Sequence, residues 1–203
     1  VYKRQSMAAN AVLSAAGVPQ VSYASTSPAL SDAAAYPDFF RVVPSDALQG
    51  QALSAVVSAD MPANGTVGLV HMTNAYGSGL ADAFTADFTA DGTILCTTIG
   101  YEETMTDFSA AVQSMADSGC TSAVLVSYAA DGGMIIDEMA AQGWSGQVYG
   151  GDGIAEEGLA TDATSSVDGI IATKPASATT GQVGYVFAAL CAQSPDCAGG
   201  IYT

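Results

Sequence analysis

From Ser45 onward this 203-residue chain alternates short apolar runs with stretches of helical period, and that alternation limits its fold more than any other feature. Residues 66–72, 93–99, 122–127 and 147–150 are apolar or period-two runs of strand length. Between them Leu80, Phe84 and Phe88 repeat every four residues, Phe108, Val112 and Met115 share one face, and so do Ile135, Ile136 and Met139. Gly92, Gly119 and Gly143 stand where the three helices must stop. Ahead of them Ser45-Asp46 can cap a helix whose apolar stripe is expected to be Leu48, Ala52, Leu53, Val56 and Val57. A further run at 167–173 closes the series. Strands joined through helices by such short loops demand right-handed crossovers and a parallel sheet covered on both faces. The chain is therefore read as α/β and doubly wound.

The flanks repeat this theme only weakly. A helix near 6–16 and strands at 20–24 and 39–43 precede Ser45, and a lone helix is expected at 181–193. One helix and two short strands make half a layer, too little for an independent domain. The expected organisation is a complete lobe at 45–174, a partial first lobe at 1–44, and a truncated return segment at 175–203. The chain is accordingly expected to be a fragment of a two-lobed protein whose flanks pack less tightly than its centre. Val1-Tyr2-Lys3-Arg4-Gln5 holds two of the four basic residues and is set aside from the fold.

Charge excludes one class of partner. Twenty Asp and Glu against four Lys and Arg give −16, a surface that repels phosphate backbones, so no nucleic-acid binding is expected. No apolar run reaches the ~18–20 residues of a membrane span. The four cysteines allow three pairings. Cys191 and Cys197 flank a turn-like pentapeptide, while Cys96 in one strand and Cys120 before the next are expected to meet across neighbouring strands. Neither pair has zinc-ligand spacing, and with one histidine no metal site is expected.

Catalytic motifs are wanting. His71, the single histidine, lies inside an apolar strand and reads as a core or rim residue. Gly77-Ser78-Gly79 is not a nucleophile elbow, and no dinucleotide or phosphate loop is present. Glu102-Glu103 and Glu156-Glu157 are adjacent pairs whose side chains diverge, and Asn64-Gly65-Thr66 is a turn as readily as a glycosylation sequon. The expectation is a protein that is not an enzyme and uses no cofactor.

In open parallel sheets ligands bind beyond the carboxyl ends of the strands. The residues at those ends are Ser25, Thr26 and Ser27 after one strand, then Asn74-Ala75-Tyr76-Gly77, Tyr128 and Asp152 after three others. Hydroxyls and backbone N–H groups suit a carboxylate, an aspartate suits an ammonium group, and tyrosines give apolar walls with a polar tip. Each also has a plainer role: Asp152 in Gly150-Gly151-Asp152-Gly153 as a turn residue, the tyrosines as rim packing, Thr26 as a turn cap.

At these residues the sequence resembles the type I periplasmic binding proteins of the branched-chain amino-acid (leucine/isoleucine/valine) group. The resemblance rests on Val18-Pro19-Gln20-Val21-Ser22-Tyr23-Ala24-Ser25-Thr26-Ser27-Pro28-Ala29-Leu30, Phe39-Phe40-Arg41, Gln49-Gly50, Ala75-Tyr76-Gly77-Ser78-Gly79-Leu80, Asp107-Phe108-Ser109 and Tyr149-Gly150-Gly151-Asp152-Gly153, in the family's order. It implies a Venus-flytrap fold in which each lobe is a doubly wound parallel sheet. It also implies that Ala24 and Thr26 hold the α-carboxylate and α-ammonium, that Tyr76 and Tyr128 contact the ligand from the second lobe, and that Asp152 takes the ammonium. By the same resemblance the protein is a periplasmic or lipid-anchored extracellular monomer. It would close about its hinge and deliver the ligand to an ABC transporter permease, or serve as the sensory domain of a receptor or amide-responsive regulator.

Overall fold

The structure, a computed structural model, describes residues 5–175. The elements run α1 (Gln5–Ala15), β1 (Gln20–Ser22), β2 (Phe39–Arg41), α2 (Asp46–Asp60), β3 (Val67–Met72), α3 (Ala75–Phe88), β4 (Leu95–Tyr101), α4 (Ser109–Asp117), β5 (Ser122–Val126), α5 (Ala129–Ala141), β6 (Gln147–Gly150), α6 (Gly158–Asp162) and β7 (Ile171–Ala172). β1 and β2 form a two-stranded parallel sheet. The other five strands form a parallel sheet of order β4-β3-β5-β6-β7. The α/β reading with parallel sheets therefore holds. Through Thr173 these residues form one compact unit; the expected helix at 181–193 and both Cys191 and Cys197 lie outside the described residues.

Strands β3 and β5 are buried along almost their whole length. That is what a parallel sheet covered on both faces requires. α2 packs on α3, and α4 packs on β4 and α5. The core gathers Leu69, Leu80, Phe84, Val112, Met115, Ile135 and Tyr149, all under 2% exposed. The helix stripes at Leu80, Phe84 and Phe88, at Phe108, Val112 and Met115, and at Ile135, Ile136 and Met139 all face inward.

α2 departs from expectation. Leu48 is 60% exposed and Ala52 is also outside, while the buried stripe is Asp46, Gln49, Gly50, Leu53, Ser54 and Val57. The inward face of this helix carries polar groups, so a stripe drawn through its apolar residues is rotated away from the true one. Strand boundaries also move, β1 and β2 stopping at Ser22 and Arg41, two residues short of the expected ends. The run at 93–99 becomes Leu95–Tyr101 because Asp91 Oδ1 takes both the backbone N–H and the hydroxyl of Thr93, holding it in a turn. The run at 167–173 shortens to Ile171–Ala172 behind a turn at Gly169, whose φ is 83°.

Cys96 and Cys120 are disulfide-bonded, with Cα atoms 5.8 Å apart. They do not meet across neighbouring strands: β3 lies between β4 and β5. The bridge lies against Gly68 of β3, where a Cβ would come within 3.1 Å of Cys120 Sγ and 3.3 Å of Met115. Beside it the indole N–H of Trp144 donates to the carbonyl of Cys120 at 3.2 Å.

Candidate functional site

The order of the five-stranded sheet reverses between β3 and β5, which chain neighbours leave in opposite directions. The crevice at such a switch point is where open α/β sheets take ligands. Tyr76 sits one turn beyond β3 and Tyr128 two residues beyond β5, so the topology brings them together. Their rings stack with centroids 5.3 Å apart and planes within 6°. Asn74 fixes the start of α3 by accepting from the N–H groups of Tyr76 and Gly77 at 3.0 and 2.8 Å.

Asp152 joins the pair from the loop after β6. The Tyr76 hydroxyl donates to Asp152 Oδ1 at 2.8 Å and accepts from the Gly153 N–H at 3.0 Å. Position 153 must be glycine for this approach: a Cβ there would lie 2.3 Å from the Ser127 carbonyl and 2.8 Å from the Tyr76 oxygen. Tyr76 is only 2% exposed, so its hydroxyl holds the carboxylate loop while its ring face meets Tyr128.

A second network steadies the Tyr128 side. The Tyr101 hydroxyl, at the end of β4, lies 2.7 Å from both Ser127 Oγ and Asp131 Oδ2, tying β5 to the first turn of α5. His71 is a rim residue, with Nδ1 2.9 Å from the Met72 carbonyl. Asn74 donates to Glu103 and Thr73 to Glu102, and both glutamates remain exposed to solvent beside the start of α3.

The first-lobe loop approaches from the carboxyl end of β1. Ser22 Oγ accepts from the N–H groups of Ala24 and Ser25. The hydroxyl of Ser25 is turned inward onto Ser6, 2.6 Å away, so what Ser25 offers the crevice is backbone. Thr26 is 1% exposed, and among the described residues its hydroxyl has no hydrogen-bond partner. Its carbonyl accepts from the Asp46 N–H at 2.8 Å, joining the loop to α2. An open cleft of about 530 Å³ runs between this loop and α3, lined by Ser27, Pro28, Ala47, Ala75, Ser78 and Asp82. A second hollow of about 260 Å³, lined by Trp144, Gln147 and Asp168, opens at the amino end of β6 and holds none of these residues.

Asp46 escaped the sequence reading, which took it only as part of a cap. Its side chain is wholly buried, and its charge acts on Arg41, Tyr76 and Tyr128. Its spacing from Leu53 and Val57 on one helical stripe was the available signal. Burial is the first cause that pushes the Tyr76 phenol well above its ordinary value, and Asp152 adds to it. Burial likewise raises Tyr101 and Tyr128, the latter further through Glu103, Asp152, Asp131 and Asp46.

A pH prediction follows. A raised phenol value means the folded state favours the neutral form, so its contribution is intact below about pH 10 and is lost as pH rises through the raised values. Absorbance at 295 nm should show a late set of tyrosines ionising together with loss of far-UV circular dichroism. Smooth ionisation of all tyrosines with the fold intact would contradict burial of these three rings.

Comparison with known proteins places this geometry. A family profile described as receptor family ligand binding region matches residues 1–185. A Leu/Ile/Val-binding protein homolog 3 from Brucella melitensis is 31% identical over 147 residues, 71% of this chain and 39% of that protein. Metabotropic glutamate receptor 4 of Macaca fascicularis is 44% identical over 75 residues, 37% of this chain and 8% of the receptor. A metabotropic glutamate receptor-like protein E from Dictyostelium discoideum is 36% identical over 93 residues, 45% of this chain and 11% of that protein. The matches thus span about two fifths of the first relative's length and far less of the receptors.

Proposed function

We propose, because this chain belongs to the family of receptor ligand-binding regions with the type I periplasmic-binding fold, that its crevice captures an amino acid. The observation that supports this is the pairing of a buried hydroxyl with no partner among the described residues, Thr26, with two carboxylates, Asp46 and Asp152, around a stacked tyrosine pair. The α-carboxylate would take the Thr26 hydroxyl and backbone N–H groups, and the α-ammonium would face Asp152. Tyr128 would present its ring to the bound molecule, while Tyr76 acts through its ring and its hold on Asp152. Ala24 and Ser25 contribute main chain. A micromolar site needs about −8 kcal/mol, and charge-assisted hydrogen bonds of ~1.5–3 kcal/mol each supply most of it once water is excluded.

On this reading the protein works in the periplasm or outside the cell as a monomer. It closes on its ligand, returns it unchanged and presents the closed form to an ABC transporter permease. The name of the Brucella relative favours a branched-chain ligand. The receptor matches favour a second reading, in which the same crevice is the sensory domain of a receptor. Among the described residues no helix is long and apolar enough to cross a membrane.

A thermal-shift screen of the chain against the common amino acids and their amides tests the shared core of both readings. At least one α-amino acid should raise Tm in a concentration-dependent way. No shift with any of them would refute capture of an amino acid, and recovery of a chemically altered ligand would refute a binding role.

A further inference from the structure

Arg41 occupies an unusual place for one of only four basic residues. It stands at the end of β2, half-buried, with its guanidinium turned under the first-lobe loop. Nη1 lies 2.8 Å from the Ser27 carbonyl, 3.2 Å from that of Thr26 and 3.5 Å from that of Ser25, while Nη2 bonds the Ser31 hydroxyl. One cation thus gathers three consecutive carbonyls.

The consequence follows from peptide geometry. The described residues contain no cis peptide bonds, and across a planar trans peptide the N–H of one residue points opposite to the carbonyl before it. With the Ser25 and Thr26 carbonyls drawn to Arg41, the N–H groups of Thr26 and Ser27 must point away from it. Neither N–H has an acceptor among the described residues, although Thr26 is 1% and Ser27 4% exposed. The Thr26 hydroxyl likewise has no partner among the described residues. Pro28 ends the run, since it has no N–H to offer.

We propose that Arg41 is a positioning residue: by holding the carbonyls of residues 25–27 it presents the Thr26 and Ser27 N–H groups, with the Thr26 hydroxyl, as a carboxylate-accepting site. Successive N–H groups facing one way form an anion-binding concavity. A guanidinium on the carbonyl side polarises the same peptides and strengthens their N–H donors. The charge of Asp46 opposes the burial that lowers the Arg41 pKa. The assignment rests on the amino-acid reading above for the identity of the anion, and on Arg41 alone for the order of the loop.

The experiment compares the wild-type chain with Arg41→Gln and Arg41→Lys. Calorimetry would use L-leucine or L-glutamate, whichever the wild type binds, and its α-carboxamide. Wild type should prefer the carboxylate at least about tenfold, Arg41→Gln should reduce that preference to about threefold or less, and Arg41→Lys should recover part of it. A change that merely loosens the fold weakens both ligands in step; a preference within about twofold of wild type in Arg41→Gln would overturn the proposal. Nitrogen-15 relaxation supplies the ligand-free readout. The Thr26 and Ser27 N–H vectors should fall below an order parameter of about 0.6 in Arg41→Gln, and unchanged values would also overturn it. If neither amino acid binds wild type yet those amides loosen, the amino-acid reading fails and the positioning role stands.

Discussion

Asp152→Asn should weaken amino-acid capture by several hundred-fold or more while leaving the fold intact. The two side chains have the same shape, and Asn can keep the contact from the Tyr76 hydroxyl that Asp152 Oδ1 now makes at 2.8 Å. What it cannot keep is the charge. An ammonium enclosed in a closed crevice without its counter-ion costs about 3–5 kcal/mol, each 1.4 kcal/mol being a factor of ten. Were Asp152 only a turn residue, Asn would serve nearly as well, because both accept from the local backbone and tolerate the same dihedrals. Calorimetric titration of wild type and variant with the best ligand of the screen decides between them. Affinities within about threefold would return Asp152 to a turn role and favour an uncharged ligand such as an amide. Tyr76→Phe is the companion variant: it leaves the carboxylate in place but frees its loop, so it should cost less than Asp152→Asn.

The disulfide carries the largest expected effect on stability. Cys96 and Cys120 are 24 residues apart, and closing a loop of that length removes about 3.5 kcal/mol of denatured-state entropy in the chain-entropy account. For a chain of this size such a loss lowers Tm by roughly 10 °C. The Cys96→Ser/Cys120→Ser double variant and reduced wild type should both melt that much earlier. An unchanged melting curve under reductant would mean that the bridge does not bear on this unit. Gly68 sharpens the expectation: Gly68→Ala puts a methyl against Cys120 Sγ and Met115. It should destabilise the oxidised protein more than the double serine variant, where one of the two crowding sulfurs is gone.

The order of elements was legible because α3, α4 and α5 each turn an apolar stripe inward, and Phe84, Met115 and Ile135 land where periodicity put them; the short α6, with only Leu159 buried, had no such stripe to show. The strand-end rule brought Tyr76, Tyr128 and Asp152 into one place before any coordinates were needed. α2 was misread for the reason that makes it interesting: its inward face bears Asp46, Gln49 and Ser54, and apolar periodicity has no way to register a buried carboxylate. The disulfide partners were individually plausible, yet the strand that runs between them is a matter of sheet order, which crossover handedness alone leaves open. Arg41 entered the sequence reading only within the Phe39-Phe40-Arg41 motif, since its reach to three carbonyls 14 to 16 positions earlier depends on how the loop folds back.

Trp144 is the only tryptophan of the chain, and its indole N–H is bonded to the carbonyl of a bridged cysteine. Its emission should therefore change when the Cys96–Cys120 bridge is reduced, since the indole is tied to a bridged residue at the amino end of the strands, away from the crevice at their carboxyl ends. The signal for the crevice is the parallel tyrosine stack, whose coupled transitions belong to near-ultraviolet circular dichroism. The molecule thus carries two optical channels, an indole one for the bridge and a phenol one for the ligand, and a binding assay built on tryptophan fluorescence would be watching the wrong end of the sheet.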